Sequence, residues 1–262
     1  MSPEREKRFN LVFNILLVCG MFIAVSLTTV FKLNQPDVRT FMLLLASFGS
    51  LMGVVNTVMS ANGNILSFVF GFIDVLIGTI VYLDNGIMGT FALHAFYFLP
   101  MQVIGFWQWR RRGARVGGES GESSKVVARR LDRKQWICLV FSLLAGIAVL
   151  FFILLAIDSA KFESGKLESV NRAKILLDAV VMAFNIAGQV LLSFAFMEQW
   201  FLWILVNISS ITLWAVAVSS GSGSGNASVM LVKYIFYLLN SLNGLRIWLK
   251  LSRRHESQDL DN

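Results

Sequence analysis

The sequence predicts an all-α integral membrane protein. It has eight transmembrane helices: two parallel three-helix repeats joined by a linker helix (3+1+3), plus an extra helix at the N-terminus. Three observations carry this expectation. The 262-residue chain is 56% hydrophobic and only 15% charged, with a mean hydropathy of +0.66; a soluble surface needs more charge than that. Eight apolar segments, roughly 10–32, 38–60, 64–83, 86–109, 135–158, 174–197, 199–219 and 227–250, are each long enough to cross about 30 Å of hydrocarbon. The polar stripes of the second to fourth segments also recur in the last three.

The first segment follows a charged start, Glu4 to Arg8. Its apolar run exceeds the ~7–15 residues of a signal-peptide core and no small-residue cleavage site follows, so a retained helix is expected over 1–33. Cys19 and Cys138 both lie inside apolar segments, which excludes a disulfide framework, and His94 and His255 give no metal-ligand spacing. No metal and no cofactor are expected. The basic residues cluster from Arg110 through the connection at 111–134 and, at the C-terminal end, at Arg246, Lys250, Arg253 and Arg254, the last two in the tail at 251–262. With eight crossings, those stretches and the N-terminus share one side. The positive-inside rule makes it the cytoplasm. Topology thus explains the basic residues, and no nucleic-acid partner is expected.

In the second segment, Gly49, Gly53, Asn56 and Ser60 form a small-residue face for close packing, and Asn56 suits either packing or recognition. The turn at Asn62-Gly63-Asn64 leads into the third segment, where Asn64, Phe68 and Phe72 share one stripe and Asp74 lies on its neighbour. An ionisable group at that depth faces a cavity or a partner, either as a structural bond or as a ligand contact. In the fourth segment Pro100 removes a backbone hydrogen bond and bends the helix, as a hinge or as a static kink. Trp107 and Trp109, just before the arginines, suit an interfacial aromatic belt. The loop that follows, with Gly117 to Ser124, reads as a flexible linker. The fifth segment, 135–160 with its flank, has no polar stripe and reads as a spacer. The sixth carries Asp178, Asn185, Gln189 and Ser193. The seventh opens with Glu198-Gln199-Trp200-Phe201-Leu202-Trp203 and reaches Asn207, so Gln199, Trp203 and Asn207 share one face with Trp200 beside it. The eighth places Lys233, Tyr237, Asn240 and Gly244 on one face.

Laying residues 34–110 on 173–250 with a shift of 135 to 139 matches Asn64, Phe68 and Phe72 with Gln199, Trp203 and Asn207, and Trp109 with Trp248. Three crossings separate the two starts, so the repeats are parallel and the first helix lies outside them. A midplane site between the repeats is expected, supplied mostly by the second.

The run from Glu198 to Asn207, preceded by Gln189, and the run Phe96-Tyr97-Phe98-Leu99-Pro100-Met101-Gln102 through Trp109 resemble the two signatures of the bacterial PnuC-type nicotinamide riboside transporters. The likeness spans about residues 38–250. The family resembles the SWEET facilitators in its plan. The resemblance implies facilitated diffusion of nicotinamide riboside (vitamin B3) for NAD biosynthesis. It also implies trapping by a cytoplasmic riboside kinase and a homotrimer in the inner membrane. Related members resemble carriers of thiamine, riboflavin or deoxynucleosides, which stay open as substrates.

The residues fit such a ligand independently. Trp200 and Trp203 can stack on a pyridinium ring. Asn207, Gln102, Asn240 and Gln189 can bond a carboxamide and ribose hydroxyls, and Asp74 or Asp178 can offset the charge. Phe68 and Tyr237 complete the candidate stripes. An intramembrane enzyme would need paired catalytic groups, and none is found at a working spacing. A receptor without transport does not account for matched stripes in two repeats. Proton coupling through Asp74, His94 or Asp178 is the other mechanism open.

Overall fold

The computed structural model describes residues 3–33, 39–84, 88–115, 125–165, 170–219 and 227–260. Among these, all regular elements are helical: α1 (Pro3–Leu33), α2 (Thr40–Ala61), α3 (Ser67–Asp84), α4 (Met88–Leu93), α5 (Leu99–Arg111), α6 (Arg133–Glu163), α7 (Arg172–Ser193), α8 (Gln199–Ser219) and α9 (Ala227–Leu260). Six of them, α1, α2, α3, α6, α7 and α8, are long and apolar enough to cross a membrane. The linker stretch from Gly117 to Ser124 lies outside the described residues. The tail expected from 251 is instead a continuation of α9 as far as Leu260.

The helices pack as a closed ring in the order α2, α3, α5, α7, α8, α9 and back to α2. Helices three places apart in that ring correspond. Each set of three is preceded by a 31-residue helix, α1 or α6, packed on the first helix of its set. α1 packs beside α2 and α9. Leu17 and Met21 of α1 are buried against Val54 and Val58 of α2 and Phe236 of α9. At its start, Glu6 pairs with Lys250 Nζ at 2.6 Å and Arg246 at 3.5 Å. No residue of α6 is buried, and Phe141 and Phe152 are turned outward, the apolar exterior that hydrocarbon accepts.

The expected single bent helix at 86–109 is α4 and α5 joined by a π turn, His94–Phe98. Pro100 has no N–H and its ring crowds the carbonyl four residues back. The ladder answers by widening: Leu99 N bonds His94 O, five residues away. The extra residue re-aims Tyr97, whose hydroxyl donates to Ile186 O of α7 at 2.6 Å.

One end of the ring is closed by a hydrophobic cluster in which Trp109 and Trp248, both fully buried, touch at 5.3 Å. Trp109 is therefore a core residue and not part of an interfacial belt, whereas Trp107 is 59% exposed. Trp109 Nε1 donates to Leu192 O of α7 at 2.8 Å, and Trp248 Nε1 donates to Ser60 O of α2 at 3.0 Å. Each half thus binds the first ring helix of the other. Phe68 lies over Gly105 and edge-on to Trp109 at 4.9 Å; Trp200 lies over Gly244 and edge-on to Trp248 at 6.1 Å. This packing matches Phe68 with Trp200, not with Trp203 as the stripes predict, so the offset over the first two ring helices is 132 residues.

The same offset relates the turns that follow α2 and α7. Gly63 and Ala195 both take left-handed backbone, at φ 70° and 60°. Both carbonyls accept from one returning strand-like segment, from Val126 N at 3.1 Å and Arg129 N at 2.8 Å. The basic connection is thus only partly the free linker expected, since Val126 and Ala128 are buried. Glu198 holds the same segment: its Oε1 accepts from Leu131 N at 3.0 Å. Burial pushes the Glu198 carboxyl up, against the pull of that bond and of Arg130. Asp132 then caps α6 reciprocally with Gln135.

Candidate functional site

Inside the ring, next to the tryptophan cluster, lies a cavity of about 310 Å³. Its walls come from α2, α3, α7, α8 and α9. Of the residues expected at a site, Trp203, Asn207, Trp200, Asn240, Gln189, Tyr237 and Asp74 all line it. The sequence stripes of α7, α8 and α9 converge there because each helix turns its polar face to the ring interior.

Trp203 fits this wall because its neighbour on α7 is glycine: a Cβ at Gly188 would lie 3.1 Å from the indole. The equivalent contact between α2 and α3 has the sizes reversed, with Asn56 over Gly71. The two halves therefore leave different contours, an aromatic wall on one side and an amide on the other. Trp200 is 3% exposed, wedged against Gly244, with its Nε1 buried and unpartnered. Asn240 donates through Nδ2 to Thr57 O at 3.0 Å, and its Oδ1 is also buried without a partner. Asn207 donates to Ser241 Oγ at 2.9 Å, and Ser241 donates on to Tyr237 O at 2.9 Å, which fixes the amide plane. Gln189 reaches Ser193 Oγ at 3.3 Å, and Ser193 donates to Met101 O of α5 at 3.2 Å. The Asp74 carboxylate lies so close to Gly53 that an added Cβ there would fall 2.6 Å from Oδ2.

Two expected residues are not in the cavity. Gln102 lies on α5 over Gly71, beside Asn56, so it touches the cavity only through that amide. Phe68 is spent on the packing with Gly105 and Trp109. Both instead edge a shallow outer groove with Phe106 and Trp107. Asp178, exposed, belongs to a neighbouring cavity of about 450 Å³ beside His94 and Phe98, which shares Val181, Asn185 and Ser210 with the central one. Thr57, Tyr234 and Ser241 line the central cavity without any warning from the sequence pattern. Thr57 and Ser241 read as ordinary helix filler, and Tyr234 is one residue off the stripe. Among the described residues no group of acidic, histidine or cysteine side chains is placed to hold a metal ion.

Comparison with known proteins places this architecture. The family model described as nicotinamide mononucleotide transporter matches residues 43–250. A Neisseria mucosa protein named nicotinamide riboside transporter PnuC is 34% identical over 82% of this chain and 75% of its own length. A Haemophilus influenzae protein of the same name is 29% identical, over 80% of this chain and 81% of its own. The crystal structure of the vitamin B3 transporter PnuC superposes with a TM-score of 0.65 at 30% identity, covering 94% of this chain and 93% of that one. This chain is a multi-pass membrane protein and belongs to the PnuC-type nicotinamide mononucleotide transporter family.

Proposed function

We propose that this protein carries nicotinamide riboside across the bacterial inner membrane by facilitated diffusion, with both termini in the cytoplasm and phosphorylation by a cytoplasmic kinase trapping the product. The two sets of three ring helices act as parallel repeats related by an axis along the membrane normal, with α6 as the linker (3+1+3), and the protein assembles as a homotrimer. The reciprocal tryptophan bonds support the repeat reading. The relatives named for the riboside support the substrate.

The observation that carries the site is a pair of orphans at the cavity wall, Trp200 Nε1 and Asn240 Oδ1. A buried donor and acceptor without protein partners each cost about 1–3 kcal/mol, and a ligand offering a carboxamide and hydroxyls has the groups to pair with both. Trp203 supplies a flat face for the ring, and Asn207, Gln189 and Tyr237 the polar edge. At about 310 Å³ the cavity is at the small end of the ~300–1,000 Å³ usual for ligands. That size suits a single-ring riboside better than a tricyclic flavin.

Titration of the purified protein with nicotinamide riboside, thiamine and riboflavin tests this. The riboside alone is expected to bind, and Asn207→Leu to weaken it by about tenfold or more, as for one lost buried hydrogen bond to a charged ligand. Equal binding of thiamine would refute the assignment. Uptake into proteoliposomes is expected to be the same with and without a pH gradient; a dependence would point to proton coupling.

Pro100 stands one residue beyond the π turn, after Leu99, and the turn is bonded to α7 through Tyr97. Pro100→Ala restores one backbone hydrogen bond, about 1 kcal/mol, to the conformer in which the turn is closed. It is expected to slow uptake by about fivefold with riboside affinity unchanged. An equal loss of both would make the bend a static one.

A further inference from the structure

We propose that the cavity beside Asp178 is an entry subsite, which gathers the cationic riboside and passes it to the central cavity. The proposal rests on the reading above, that the ligand is a pyridinium riboside. The central cavity lies against the tryptophan cluster that closes one end of the ring, and Leu192 and Ala195, at the far end of α7, belong to that cluster. In this conformation its approach is from the other end, where α7 begins. The neighbouring cavity of about 450 Å³ stands on that side. It takes earlier residues of α7, Leu177 to Asn185, and later ones of α8, Ser209 to Leu213. It shares Val181, Asn185 and Ser210 with the central cavity.

Asp178, Asn185 and Gln189 are spaced by seven and four residues, so they share one face of α7. Asn185 and Gln189 line the central cavity, which fixes that face toward the ring interior. Asp178 stands on the same side, about 10 Å along the axis from Asn185. The three make a polar track into the site. Asn185 Nδ2 donates to Val181 O at 2.8 Å, which leaves the Oδ1 acceptor for a carboxamide N–H or a hydroxyl. From the π turn, His94 and Phe98, edge to face at 5.3 Å, add an aromatic wall on which a pyridinium can stack. Asp178 is exposed, so it draws a cation without shedding its own hydration and holds it only weakly. Weak holding is what a subsite that hands its ligand on requires.

The test compares initial uptake into proteoliposomes at limiting riboside with equilibrium binding to the purified protein. Binding by the unaltered protein comes first; its absence defeats the substrate reading and this proposal with it. Given that binding, Asp178→Asn is expected to slow uptake about fivefold, the effect of one exposed charge on a passing cation, with Kd unchanged. Asp178→Glu, which keeps the charge, is expected to retain the unaltered rate, and Asp178→Lys to slow uptake further than Asp178→Asn. Ser209 lines the neighbouring cavity and not the central one. Ser209→Phe, which narrows the passage without changing charge, is expected to slow uptake by a similar factor, again with Kd unchanged. Uptake unmoved by Asp178→Asn or by Ser209→Phe, or a Kd weakened by Asp178→Asn as much as uptake is slowed, would each overturn the proposal while leaving the substrate reading in place.

Discussion

Trp203→Ala is expected to weaken riboside binding by about 100-fold while lowering the Tm in detergent by only about 2–4 °C. The indole is half-buried, lines the cavity, lies over Gly188 and packs only on the edge of the tryptophan cluster. Less of the fold leans on it than on the fully buried indoles of that cluster. A ring stacked on it contributes about 0.5–1.5 kcal/mol beyond area. A cation over its face adds up to about 2 kcal/mol once desolvated. Together these correspond to about two orders of magnitude in Kd, whereas a loss of about 1 kcal/mol in stability moves the Tm of a chain this size by only about 2–4 °C. Trp200 gives the contrast. It lies against Gly244 and Trp248 at 3% exposure, so Trp200→Ala opens a void and lowers the Tm as well. Isothermal titration with matched thermal unfolding separates the two residues; similar Tm losses would mean that Trp203 is structural too.

Much of this site was legible in the sequence because polar residues in hydrocarbon are few and fall at helical spacing. Gln189, Trp203, Asn207, Tyr237 and Asn240 each stand out against an apolar background, and all reach the cavity. Phe68 lies outside this cavity for a traceable reason. The stripes of α3 and α8 were aligned by residue type, which matched Phe68 with Trp203. The fold aligns them by which ring lies over which glycine, and that shifts the match to Trp200. A pattern of polar residues has no access to that choice. The π turn was hidden similarly: Pro100 announces a break, but whether it becomes a kink or a widened ladder depends on the hydrogen bond Tyr97 makes to α7. The anchoring of residues 125–131 was missed because its bonds are mostly backbone to backbone, and Val126 and Ala128 look unremarkable in a basic loop. Glu198 was seen only as the start of a motif, although its carboxylate holds the loop to the turn before α8.

Trp248→Ala is expected to produce the largest stability loss of any single change at the closed end of the ring, a fall in Tm of about 10 °C or more. The side chain is fully buried among Trp109, Trp200 and Ile247, and truncating such a residue costs about 3–5 kcal/mol. The lost bond from Nε1 to Ser60 O adds only about 1 kcal/mol, because that carbonyl also accepts from Gly63 N at 3.0 Å. Trp248→Phe, which keeps most of the packing, should therefore cost far less than Trp248→Ala. Trp109→Ala is expected to behave alike, since its own target, Leu192 O, is also bonded by Ala195 N at 3.0 Å. The two rings touch at 5.3 Å, so the second truncation enlarges an existing void. Neighbouring losses of this kind do not add, and the double variant should fall clearly short of the sum. A fully additive double variant would mean that each half holds the other independently, and that the indole pair is not the shared hinge pin of the ring.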